Sequence, residues 1–323
     1  PACTLQAARD DCNESGRERR GAGLWRQTVG SDPCADGLRR YSDGGWGEFA
    51  SSPQRYWEAS QTSAIDRRVN LTADDFEREY VDQGRPVVLL GLMDDWPGWS
   101  KLSKQRLLER SGHVPLRVGL FPARPGGKQG LQDYQERGDP LPETPEKMEV
   151  REFVARHFSA NAEADAPSAQ ENHPYLLDDT YEHPAIFRRR FGWAAEKRRE
   201  QSRIFFGPAN AGDYFPRIST GDYASYRALF YGMRRWFLFP PGVLYGQEHD
   251  SMRAWLERTY PMLHAEPFEY MQRPGEVLFV PETWRAGGLN LRATVGVTVA
   301  LGFDRAISDR AYRSTLDERV RTL

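Results

Sequence analysis

The chain has 323 residues, of which 39% are hydrophobic and 12% aromatic, enough to bury the core of one sizeable domain. A formal net charge of −2 provides no global field that would recruit nucleic acid or an anionic membrane surface, so no nucleic-acid partner is expected. No apolar run approaches the roughly 18 residues that a membrane-spanning helix needs, so no transmembrane segment is predicted and peripheral association with a membrane complex stays open.

Residues 1–64 are rich in Gly, Ser, Asp and Arg and lack sustained apolar periodicity, which predicts an extended N-terminal arm. The arm nevertheless contains Trp25, Tyr41, Trp46, Phe49, Tyr56 and Trp57, too much aromatic surface for an ordinary solvated tail. Trp25, Trp46 and Trp57 are therefore expected to bind a partner surface, which is either the chain's own domain or neighbouring subunits of a larger assembly. Cys3, Cys12 and Cys34 all lie in the arm. Their odd number and spacing support no zinc site, and leave one disulfide open. A start at Pro1, with no initiator Met, fits a processed organellar or secretory-lumen protein.

Beyond the arm, Asn70-Leu-Thr72 has the form of a glycosylation sequon, as does Asn13-Glu-Ser15, but a helix start explains it better. Thr72 reads as an N-cap, Asp75 as its partner three residues on, and Leu71 with Phe76 as a hydrophobic staple. The helix should run to about residue 83, stop at Gly84 and feed a strand over 86–92. A helix over 104–110, a strand over 115–121 and a helix over 150–158 follow. Residues 159–171 are low in complexity and predict a surface loop. A helix over 250–260 and a strand over 268–271 come next, and residues 304–323 hold a C-terminal helix near 308–320. There is no internal repeat, no Gly-rich phosphate loop, no Gly-x-Ser-x-Gly elbow and no His-Glu-x-x-His.

Four blocks stand out in order: Tyr231-Gly-Met-Arg-Arg-Trp-Phe-Leu-Phe-Pro-Pro241, Arg273-Pro-Gly-Glu-Val-Leu-Phe-Val-Pro281, Leu289-Asn-Leu291 and Thr294-Val-Gly-Val-Thr298. Together with the segments 68–76 and 84–97 they resemble the JmjC family of cupin-like oxygenases over about residues 65–303. The resemblance implies an α+β chain, mainly β with flanking helices, built on a double-stranded β-helix of the jelly-roll, cupin type. It also implies Fe(II) held by a His-x-Asp/Glu pair and a distant second His, with open positions for 2-oxoglutarate and oxygen.

The family's ligand positions fall here on Arg217, Ser219 and Ala286. None of these can serve. Histidine is absent from residues 184–248 and again after 264, so no shift of register restores the set. His264-Ala-Glu266 has ligand-like spacing but lies in a predicted linker, and a lone His near a helix end more often caps carbonyls or faces solvent. The family's co-substrate Lys aligns with Arg234, a family Asn with Arg227, and a family Thr with Thr298. If Arg217, Arg227 and Arg234 all point inward, they need a bound anion or internal acids such as Asp213, Asp222, Glu276 or Glu282. Tyr226 would then help line an anion or co-substrate pocket.

Three readings follow. The leading one is a non-catalytic JmjC-like scaffold without a cofactor, an accessory subunit that holds protein partners. The alternatives are an Fe(II) and 2-oxoglutarate-dependent protein hydroxylase with unusual ligands such as His249, His264 or Asp222, and an anion or metabolite sensor.

Overall fold

The computed structural model describes residues 41–49, 51–58, 65–94, 96, 98–119, 147–158, 174–178, 199–213, 223–243 and 251–302. Thirteen strands among them form two sheets. The larger sheet runs in the order β1 (Asp66–Val69), β2 (Val87–Leu90), β11 (Val277–Val280), β8 (Tyr223–Tyr231), β13 (Thr294–Gly302), β6 (Arg199–Gly207), β5 (Tyr175–Asp178), β3 (Pro115–Gly119) and β4 (Lys147–Glu149). The smaller one runs β10 (Phe268–Gln272), β9 (Arg234–Phe239), β12 (Arg285–Asn290) and β7 (Gly212–Asp213). Only β1 and β2 pair in parallel among the pairs described.

Strand side chains alternate between faces, and the buried residues sort accordingly. Val88 and Leu90 of β2 and Leu278 and Val280 of β11 meet Trp236 and Leu238 of β9 and Ala286 of β12 in one cluster. That cluster joins the two sheets face to face, as a jelly-roll barrel requires. The intervening residues Val87, Leu89, Val277, Phe279, Val297 and Val299 turn the other way and pack against the helical layer with Phe76, Tyr80 and Phe153. Each such side chain contributes roughly 1.5–3 kcal/mol by leaving water. On the outer face of the smaller sheet, Phe237 and Phe239 pack under the helix Met252–Arg258 and its Trp255.

The predicted helix after Asn70 begins as expected. Thr72 accepts a hydrogen bond from the Asp75 amide at 3.1 Å, and its hydroxyl donates to the Asp75 carboxylate at 2.7 Å. After the turn Ala73–Phe76, however, the chain widens into a π-helical segment, Glu77–Val81, instead of continuing as an α-helix to residue 83. The Asp82 and Arg85 amides donate five residues back, to Glu77 and Tyr80, and the wider turn keeps both Phe76 and Tyr80 buried. Gly84, at φ 56°, lies in the left-handed region favoured by glycine and closes the segment. The strand over 86–92 and the helices over 104–110 and 150–158 appear as β2, Lys104–Ser111 and Val150–His157. The expected loop at 159–171 and C-terminal helix near 308–320 lie outside the described residues.

Of the two surfaces expected for the aromatic arm, the described part, residues 41–58, lies on the chain's own domain. Trp46 is 2% exposed, its indole N–H donates to the Leu102 carbonyl at 3.0 Å, and its ring lies 5.5 Å from Phe158 and 6.3 Å from Phe206. Ser52 bonds to the carbonyls of Leu291 through its amide and of Asn290 through its hydroxyl, both at 2.8 Å. Tyr56 joins the cluster with Phe237 and Trp255, against which Trp57 packs, and the Trp57 indole donates to Ser52. Residues 41–58 thus belong to the domain core. Trp46 and Trp57 pack against their own chain rather than against a partner, because only there do their rings leave water at no association cost. Trp25 lies outside the described residues.

Candidate functional site

Period-two alternation decides which polar side chains enter the barrel. The run Arg234-Arg-Trp-Phe-Leu238 sends Arg234, Trp236 and Leu238 inward and Arg235 and Phe237 outward, where Arg235 pairs with Glu269 at 2.7 Å beneath Tyr260. On β8 the inward residue is Arg227, whose register partners are Leu278 on β11 and Thr298 on β13. β7 contributes Asp213, opposite Gly288 of β12. A Cβ at Gly288 would come within 2.8 Å of both Arg234 Nε and Trp236 Cε3, so glycine makes room for these two side chains to lie together.

The resulting cluster is a buried ion pair on an aromatic floor. Asp213, 1% exposed, forms a close ion pair with the fully buried Arg234, and Arg227 Nη1 lies 3.7 Å from the same carboxylate oxygen. The Arg234 and Arg227 guanidinium carbons lie 4.3 and 4.5 Å from the centroid of Trp236, within cation–π range. The Trp236 indole donates to Gln272 Oε1 at 2.7 Å, and Gln272 Nε2 donates to the Arg227 and Glu276 carbonyls at 2.7 and 2.9 Å.

The two arginines feel different fields. Burial disfavours both charges, but for Arg234 the nearby Asp213 and Tyr175 outweigh it and its pKa is raised. For Arg227 burial dominates. With Arg234 adding repulsion and Asp213 only partly compensating, its pKa is pushed down to about 10. Burial also drives the Tyr175 hydroxyl well above its ordinary range.

Nearby, Glu276 is bonded by the Tyr270 hydroxyl at 2.6 Å, the Arg273 amide at 2.7 Å and Arg67 at 2.9 Å. Burial raises its pKa despite these donors. The folded state therefore keeps this proton to higher pH than the unfolded chain does. The associated stability is fully present below the unfolded carboxylate pKa and is lost as pH rises through the raised folded value. Glu276→Gln is expected to flatten that part of the stability–pH profile, measured by urea unfolding across pH 4–7. An unchanged slope would rule out this assignment.

Arg227, Arg234 and Thr298 do share the barrel interior. Tyr226 does not: as the neighbour of Arg227 on a strand it must face the opposite way, and its ring packs against Phe279 at 5.3 Å and Phe76 at 6.2 Å in the helical layer. Arg217, Ser219, Asp222 and His249 lie outside the described residues. His264 and Glu266 are exposed on the segment before β10, and no group of three or more His, Cys, Asp or Glu suited to a metal occurs among the described residues. Ala286 is 5% exposed within the apolar cluster of Trp236, Leu238 and Leu278. Sequence reasoning missed Trp236 and Gln272 as parts of the site, although alternation from Arg234 already points Trp236 inward.

The cupin-like domain model matches residues 73–285. Lysine-specific demethylase JMJ21 of Arabidopsis thaliana is 28% identical over 260 residues, covering 72% of this chain but only 25% of that protein. JmjC domain-containing protein 8 of Homo sapiens is 29% identical over 265 residues, covering 80% of this chain and 90% of its own length. A third relative overturns the expectation that no cofactor is involved. The 2-oxoglutarate and iron-dependent oxygenase JMJD4 of Gallus gallus is 22% identical over 276 residues, covering 77% of this chain and 62% of its own. Iron and 2-oxoglutarate are thus the cofactors against which these residues must be weighed. At the position expected for the second imidazole, Ala286 has no donor atom, so the family's iron-binding set does not fit there. Arg234, the counterpart of the co-substrate Lys, already has a carboxylate partner in Asp213. By its sequence match and its barrel, the chain belongs to the cupin-like domain family.

Proposed function

We propose that this chain is a JmjC-family protein whose barrel acts as a rigid scaffold for protein partners, as an accessory subunit of a larger assembly, and does not carry out hydroxylation. The observation that carries this reading is Ala286. It sits inside an apolar cluster where the chemistry calls for an imidazole, and a methyl group cannot complete a facial triad. The Asp213–Arg234 pair supports it, since a guanidinium already bridged to a buried carboxylate is a poor grip for another acid. The partner surface is proposed to lie away from Trp46 and Trp57, which are used internally.

The proposal concerns turnover, not the family's cofactors. Protein loaded anaerobically with Fe(II) and then given 2-oxoglutarate and oxygen is expected to form no succinate above a protein-free blank. Succinate that scales with protein concentration would overturn the reading.

The names of the relatives, two of them a demethylase and an iron-dependent oxygenase, favour a second reading. In it the chain is an Fe(II) and 2-oxoglutarate-dependent protein hydroxylase that recruits ligands from outside the family positions. The same assay separates the two.

A further inference from the structure

β1 closes one edge of the larger sheet, pairing with β2 on its inner side. Its last residue, Val69, is 48% exposed and is one of two large hydrophobic side chains, with Met262, that the described residues leave in water. An edge of this kind invites pairing with another chain unless it is charged, bulged or covered. The next residue, Asn70, is also exposed, and its φ of 54° lies in the left-handed region that Asn tolerates better than most residues. Leu71 then turns back into the core cluster that holds Phe76. An exposed amide thus stands on the turn that leads from a sheet edge into a helix.

Asn70 is the first residue of Asn70-Leu-Thr72, and both ends of this triplet are at the surface. In the folded chain the Thr72 hydroxyl is engaged with Asp75, accepting from its amide at 3.1 Å and donating to its carboxylate at 2.7 Å. That cap explains a Thr at position 72, and the left-handed turn accommodates an Asn at position 70, but neither covers Val69. A glycan does. It does not compete with the cap, because the sugar attaches through Asn70 Nδ2 and the cap uses Thr72 Oγ1. Transfer therefore belongs to the extended chain, before the helix forms and commits the Thr72 hydroxyl. A lipid-pyrophosphate-linked oligosaccharide supplies the sugar. A bond forms between Asn70 Nδ2 and the anomeric carbon, and the bond from that carbon to the pyrophosphate oxygen breaks. The lipid pyrophosphate leaves with the electron pair and one amide proton is released, so the step is redox-neutral.

We propose that Asn70 is an N-glycosylation site, whose glycan shields Val69 and the outer edge of β1 from other chains. The inference carries the chain through the secretory lumen, where this transfer takes place, and it does not depend on whether the barrel turns over.

The test is peptide mass spectrometry of the full chain isolated from the cells that make it. Trypsin cuts after Arg68 and Arg78 and so separates Asn70 from the other sequon, at Asn13. The peptide of residues 69–78 is expected to carry a glycan that peptide N-glycosidase removes. Two variants separate the sequon from the cap. Thr72→Ser keeps both the sequon hydroxyl and a good N-cap, and is expected to keep the glycan. Thr72→Asn keeps an N-cap of the same rank but breaks the sequon, so the glycosylated fraction is expected to fall to background. A parent peptide with no glycan overturns the proposal, as does a glycosylated fraction that responds alike to both variants.

Discussion

Asp213→Ala is expected to destabilise the protein by about 3–5 kcal/mol, the range for removing one partner of a buried ion pair. The reason lies in what remains. Arg234 has no exposed surface and Arg227 only a little, so the variant holds two guanidiniums within cation–π distance of one indole and no carboxylate between them. Neither can lose its proton at neutral pH, and Arg234, fully buried between Trp236 and Phe205, has no exposed surface through which to reach water. Urea unfolding should show a lower midpoint at unchanged slope. A loss below about 0.5 kcal/mol, typical of a surface site, would mean that the carboxylate is not the counter-ion of the cluster.

Trp46→Ala is expected to cost a similar amount, about 3–5 kcal/mol, as for other large-to-small substitutions in packed cores. Trp46 sits in a stretch that reads as a tail, yet its ring fills a space bounded by Phe49, Phe158 and Phe206, and its N–H is bonded to the Leu102 carbonyl. Truncation would leave both a cavity and an unpaired carbonyl. If residues 41–58 were a detachable arm, the variant would unfold at the same urea concentration as the parent, and this description of the core would be wrong.

These two residues also show where the sequence was readable. The barrel was legible because its strands carry an alternating or continuous apolar signal that needs no partner to interpret, as in Val87–Leu90 and Val277–Val280. The cap at Thr72 was legible for the same reason, being local. The tail-like texture of residues 41–58 hid their place in the core because Trp46 and Tyr56 stand in no periodic apolar pattern, and beyond Phe49 and Trp57 the rings they pack against, Phe158, Phe206, Phe237 and Trp255, are far off in sequence. Within the site, Arg227, Arg234 and Thr298 were found through resemblance, whereas the partner of Arg234 was one of four candidate acids until the register of β7 against β12 fixed Asp213 opposite Gly288. Tyr226 was assigned to the pocket by proximity in sequence, and strand alternation places it on the other face. The π-helical turn at Glu77–Val81 had no signal, since it arises from fitting Tyr80 beneath the sheet.

A double-mutant cycle measures the commitment of Arg234 to Asp213 directly. Asp213→Ala, Arg234→Met and the double variant, compared by urea unfolding, are predicted to show a coupling of about 2–3 kcal/mol, with the double variant more stable than Asp213→Ala alone because the fully buried guanidinium of Arg234 is gone and only the partly exposed Arg227 is left without its carboxylate. Additivity within about 0.5 kcal/mol would show that the two charges do not depend on each other, and would contradict the view that this barrel supplies its own carboxylate to the arginine at its centre.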